Sequence, residues 1–171
     1  MPAVLLVNVR RVATELPEGA APAGSPGTPD AIVDEVVQTH GGAAAQAAGD
    51  GRLFCFAQAA GAVACALAIQ SRLADHNRKA GGAGGVLMRM GIHATAGASG
   101  AAPAYRVSDR ELQVASLILR ATPAGRIFLS REAHRRCRSA AVCAFIPLGA
   151  EYFSGLPDPV DVYEAWRIPK L

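Results

Sequence analysis

Apolar positions along the chain fall into two spacings that alternate. The first is the short continuous run. Residues 3–9 are apolar except for Asn8, too short for a helix and rich in β-branched side chains, which predicts a buried central strand. Residues 53–56, 86–94, 127–129, 144–148 and 160–166 read as further strands. The second spacing is helical. Thr28-Pro29-Asp30 is a helix start, with a capping hydroxyl, a proline suited to the first turn and a carboxylate at the positive end of the dipole. That helix carries Ile32, Val33, Val36 and Val37 on one side and ends at Gly41-Gly42. Residues 57–76 form a long helix with Val63, Ala66, Leu67, Gln70 and Leu73 on one face. Residues 109–120 form another, with Leu112, Ala115 and Leu119 inward, and Ser130 caps a short one to about residue 138. The pattern is α+β, a mainly antiparallel sheet with helices on one face.

Between these elements the breaks are clear. Residues 15–28 are rich in Ala, Gly and Pro, and Pro17, Pro22 and Pro26 leave no room for a stable helix, so a flexible loop is expected. Gly49-Asp50-Gly51 is a turn between two extended segments. Residues 81–85 and 100–103 are loops.

At 171 residues the chain reads as a single domain, long enough to bury a core. Hydrophobic residues make up 51% of the chain and aromatic ones only 5%, so that core must pack small residues closely. A net charge of +3 neither requires nor excludes a nucleic acid, and no nucleic-acid partner is assigned. The Arg135-Arg136 pair with Arg138 reads as a solvated helix end. Cys55, Cys65, Cys137 and Cys143 form no CxxC or Cys/His spacing and read as free thiols of a reducing compartment. No run is long enough to span a bilayer, and a cytoplasmic location is expected.

The order of segments resembles the class III nucleotidyl cyclase homology domain over nearly the whole chain. The stretches that carry the resemblance are Val4-Leu5-Leu6-Val7-Asn8-Val9, His40-Gly41-Gly42 through Gly49-Asp50-Gly51, Ala66-Leu67-Ala68-Ile69-Gln70 and Met90-Gly91-Ile92-His93. Gly125-Arg126-Ile127-Phe128-Leu129-Ser130, Pro147-Leu148-Gly149 and the segment from Gly155 to Glu164 complete them. The resemblance implies a ferredoxin-like βαββαβ core with additions, and a head-to-tail dimer with active sites at the interface. It implies ATP or GTP cyclised with two divalent ions held by two aspartates.

Position by position, most of that chemistry is missing. The resemblance puts the first metal aspartate at Asn8, a neutral amide that supports Mg²⁺ poorly. It puts a phosphate-cradling Gly-Phe-Thr turn at Arg11-Val12-Ala13, residues that disfavour a tight turn. The second metal aspartate is present as Asp50, which is also good turn chemistry on its own. The two base-reading positions correspond to Gln46 and Arg106. The asparagine and arginine of the later helix correspond to Gln113 and Leu117, and the late phosphate-contacting lysine to Ser154. Of these seven side-chain positions only Asp50 is retained.

Three readings follow. The first is a catalytically degenerate cyclase-like domain, a regulatory or dimerisation module in a homodimer or with another cyclase domain. The second is a divergent active adenylate or guanylate cyclase. The third is a binding domain that holds a nucleotide or other anion without turnover. No residue is assigned a catalytic role. Asp50 is the one metal candidate, and Arg11, Gln46, Arg106 and Gln113 are the nucleotide- or anion-binding candidates. No cofactor is expected, with Mg²⁺ or Mn²⁺ entering only alongside residual activity. Residues 95–104, where such domains carry a dimer-contacting arm, look about four residues short.

Overall fold

The computed structural model describes residues 5–13, 25–45, 51–81, 85–95, 107–139 and 143–168. Its elements are β1 (Leu5–Ala13), α1 (Pro29–Thr39), β2 (Ala43–Ala44), β3 (Arg52–Phe56), α2 (Ala59–Lys79), β4 (Val86–Ala94), α3 (Asp109–Ala121), β5 (Ile127–Ser130), α4 (Arg131–Cys137), β6 (Cys143–Glu151) and β7 (Val160–Arg167). Among the described residues the strands form one seven-stranded sheet in the order β2-β3-β1-β4-β5-β7-β6.

The expected first strand is there and runs further than its apolar stretch. β1 pairs antiparallel with β4 from Leu5↔Ala94 to Ala13↔Val86. Its pairing with β3 covers only Leu5↔Phe56 to Val9↔Arg52. Among the described residues, the partners given for residues 10–13 are those of β4. A run of β-branched and arginine residues extends readily, and Val86 to Arg89 supplies a partner strand of matching length.

β1, α1, the β2/β3 hairpin, α2 and β4 form the βαββαβ unit, with its strands antiparallel and in the order of a ferredoxin-like sheet. β4 and β5 are parallel, so the chain must cross over between them, and α3 makes that crossover.

The helix signals act as the sequence suggested. Thr28 Oγ1 accepts the Ala31 N–H at 3.3 Å and donates to Ser25 O at 2.7 Å. At the other end of α1, Gly41 takes φ +72°. Gly42 N–H then reaches Val37 O at 2.9 Å while Gly41 N–H reaches Gln38 O at 3.1 Å. This is a Schellman closure, and it satisfies carbonyls that the helix end would otherwise leave unpaired. α3 begins with a reciprocal capping box between Ser108 and Glu111. α2 starts later than expected, at Ala59, with Gln58 extended before it.

Helices lie on both faces of the sheet, not on one as the sequence pattern suggested. α1, α2 and α4 share a core with Phe54, Phe56, Met88, Met90, Ile92, Ile127 and Leu129. On the other face Leu53 and Cys55 pack against Ala115 of α3. The reason is steric as well as apolar. Gly91 of β4 faces α3, and a Cβ there would lie 2.9 Å from Leu119 N and 3.0 Å from Leu119 Cα. Only a glycine lets the helix backbone come that close to the strand.

The cysteines are core residues, as their isolation in sequence implied. All four are free thiols. Burial pushes the Cys55 thiol up to about 11 and those of Cys65 and Cys137 up to about 12, so they stay protonated at neutral pH. At the end of β4, His93 Nδ1 lies 2.9 Å from Ser130 Oγ. Ser130 Oγ also accepts the Ala133 N–H at 3.3 Å, capping α4 as expected. Burial holds the His93 imidazole below its usual pKa, with Glu111 and Glu132 opposing that shift.

Two outcomes are expected. Gly91→Ala should lower stability by about 1–3 kcal/mol, because the clash is with helix backbone that cannot rotate away. A urea midpoint equal to that of the parent would mean that α3 does not sit against this strand. The second outcome concerns pH. His93 has a depressed pKa when folded, so the unfolded chain binds more protons below about pH 6.5. Stability should fall as pH drops through that window, and His93→Gln should flatten the fall. A residual slope is expected from His134, whose pKa is also lowered, by burial and then by Arg138. An unchanged slope in His93→Gln, followed by urea midpoints from pH 7.5 to 5, would contradict the assignment.

Candidate functional site

The face of the sheet that α3 only partly covers brings together several sequence-selected positions. Cross-strand partners share a face, and residues two apart along a strand return to it. Asn8 pairs with Leu53 on one side and with Gly91 on the other. Its register position is therefore on the α3 side, at the point where the helix comes closest to the sheet. The next position on that face is Arg10, directly opposite Arg89.

Arg11 is placed differently from the other candidates. It pairs with Met88, which is buried in the core under α2. Its register position is on the helix-covered face, opposite to that of Asn8. The stretch Arg11 to Ala13 is strand, hydrogen-bonded along β4 to Val86, and not the turn that the resemblance implied. A segment extended along β4 is not curled into the turn that a phosphate cradle needs.

α3 carries the next pair. Gln113 is exposed, and its Nε2 lies 3.5 Å from Gly155 O. Gly155 adopts φ +93° in the turn between β6 and β7, next to the exposed Ser154. The structure thus brings Gln113 to the turn that holds Ser154. Leu117, one helical turn on, is only 7% exposed. Asp50, Gln46 and Arg106 lie outside the described residues, as does most of the 95–104 segment.

Two features were not singled out from sequence. Arg89 Nε is buried and has no hydrogen-bond partner among the described residues. Beside it, one step before the parallel Met90↔Ile127 pair, stands Arg126. Arg126 Nη1 is 2.8 Å from Glu164 Oε1, with the Glu164 side chain 9% exposed. Its guanidinium lies 4.7 Å from the centre of the Trp166 ring. The signal was available in the alternation of β4, where Met88, Met90 and Ile92 fall on one face and Leu87, Arg89, Gly91 and His93 on the other.

This surface is chemically cationic. Arg89 and Arg126 form a short arginine row on this face, which register position 10 adjoins, and among the described residues Glu164 pairs with Arg126. Among the described residues no group of three or more His, Cys, Asp or Glu side chains is placed to hold a metal ion. The described part of this face thus offers guanidinium groups. Further along the same face Leu87, Ile146 and Trp166 are 44%, 44% and 43% exposed, an apolar margin beside the arginines. Among the described residues no helix is long and apolar enough to cross a membrane.

No protein-family model matches the sequence, and a search of curated proteins finds no match. Solved structures do match. The adenylyl cyclase CyaB from P. aeruginosa is similar at 19% identity and a TM-score of 0.77, covering 99% of this chain and 96% of that one. The guanylate cyclase domain of RhGC from Catenaria anguillulae, solved in complex with GTP, is similar at 16% identity and a TM-score of 0.68, covering 98% of each chain. A dimeric guanylyl cyclase domain of the RhoGC fusion protein from the aquatic fungus Blastocladiella emersonii is similar at 16% identity and a TM-score of 0.66, covering 96% of each. End to end, this chain has the fold of the class III adenylate/guanylate cyclase catalytic domain.

Proposed function

We propose that this chain is a cyclase-fold domain that does not cyclise nucleotides and acts as a regulatory, dimerising module in signalling, paired with itself or with another cyclase domain. The observation that carries this reading is the course of β1. The segment from Arg11 to Ala13, where an active domain would fold a turn around the triphosphate, is hydrogen-bonded to β4 as strand. The side chains point the same way. Asn8 replaces a metal carboxylate, and a buried Leu117 replaces the cation that would stabilise charge on the transferring phosphate. Losing one such group alone costs about 10²–10³ in rate. The apolar margin of Leu87, Ile146 and Trp166 supports a partner on the same face.

A second reading has its own support. Arg89, buried at Nε without a hydrogen-bond partner among the described residues and opposite position 10, favours retention of a phosphate-bearing ligand on the arginine row, without turnover. ATP and GTP are the first ligands to try, since a similar domain was solved with GTP.

Purified protein given ATP or GTP with Mn²⁺ should form no cyclic nucleotide. Product that appears, and vanishes in Asp50→Ala, would overturn the degenerate reading. Light scattering after size exclusion should give a dimer, and Trp166→Asp should shift it to monomer. A parent that stays monomeric at high concentration would remove the homodimer. For the second reading, calorimetry without metal should detect ATP or GTP binding that weakens with salt and falls about tenfold in Arg89→Met. Absence of heat at millimolar nucleotide would sink it.

A further inference from the structure

A second recess lies at the end of the sheet, on the α2 side, and owes its existence to the shortness of β5. That strand pairs with β4 only from Met90 onward and with β7 only up to Glu164. The starting residues of β4 and the final residues of β7 are left facing each other with no strand between them. α2 lies beneath this notch, and Gly125 N–H closes one side on Met88 O at 3.0 Å. The result is a cavity of about 420 Å³. A smaller recess of about 250 Å³ adjoins it, lined by Arg126, Glu164 and Trp166.

The rim is fixed by side-chain amides. Asn77 clamps the start of β4, donating to Val86 O at 3.0 Å and accepting the Val86 N–H at 2.9 Å. Gln70 Nε2 donates to Gly125 O at 2.5 Å. Such a cavity is formed before any ligand arrives, and its walls do not need to be reorganised on binding. Leu73, Met88 and Met90 make the interior apolar.

One charged side chain lines the cavity among the described residues, Arg167. It donates to Leu67 O at 2.8 Å through a single nitrogen and has no carboxylate partner among the described residues. The neighbouring Arg126 differs, because Glu164 already neutralises it. An apolar recess lined by a guanidinium that has no carboxylate partner among the described residues is complementary to an anion with an apolar body. Its volume lies toward the lower end of the usual small-molecule range of roughly 300–1,000 Å³. That suits one ring or a short chain, not a long lipid.

We propose that this notch is a binding site for a small organic carboxylate whose apolar body enters between α2 and β4 and whose carboxylate pairs with Arg167. Arg89 is not among its lining residues, and the site stands whether or not the domain turns over nucleotide.

Octanoate is the probe, with octan-1-ol as its uncharged counterpart, followed by calorimetry and by amide shifts in ¹H–¹⁵N spectra. Octanoate should bind about tenfold more tightly than octan-1-ol and shift the Gly125, Asn77 and Met88 amides. Arg167→Met should remove that preference, and Arg167→Lys should restore part of it. Ala74→Trp, a substitution at an exposed lining position, should block both ligands while the spectrum stays folded. The proposal is overturned by equal affinity for acid and alcohol, by octanoate binding unaffected in both Arg167→Met and Ala74→Trp, or by no binding at millimolar octanoate.

Discussion

The close approach of the α3 backbone to Gly91 is the contact on which the rest of the molecule turns. It holds a helix against the sheet face that the other helices leave bare. From there α3 reaches Leu53 and Cys55 through Ala115 and buries Leu117. It also carries the chain from β4 to its parallel neighbour β5. What α3 covers and what it leaves open decides which residues of that face meet solvent. The arginine row and the apolar margin are the part left open.

Much of the fold was legible because its signals are local. Thr28-Pro29-Asp30 and Gly41-Gly42 begin and end α1 through short-range hydrogen bonds, and sequence spacing is enough to find them. β1, β3 and β4 of the ferredoxin-like core were found by their apolar runs, and the two-residue β2 was not. The end of β1 was not, because Arg10 and Arg11 interrupt the apolar pattern and only a partner strand of the same length keeps them extended. The position of α3 was hidden for a related reason. A glycine inside a strand does not announce from sequence alone which element comes near it.

The candidate site was legible by residue type and not by face. Asn8 and Leu117 were recognisable as replacements at once. Whether two residues can act together depends on register, and that separated Arg11 from Asn8 and placed Arg89 opposite position 10. The first shift takes a cation away from the face and the second supplies one. Position 8 matters to that balance, since a carboxylate there would stand next to the position of Arg10 on the same face and offset its charge.

The two borders of the sheet have a consequence for how such a domain behaves at high concentration. One border, β2, is two residues long. The other, β6, has Pro147 within it and a register irregularity between Pro147 and Gly149. Proline withholds a donor and a bulge bends the strand, so neither border offers a long, straight template for another chain. Open-ended strand stacking, which grows into fibres, is thereby disfavoured at both described borders, and any assembly that uses faces instead can close after a fixed number of copies.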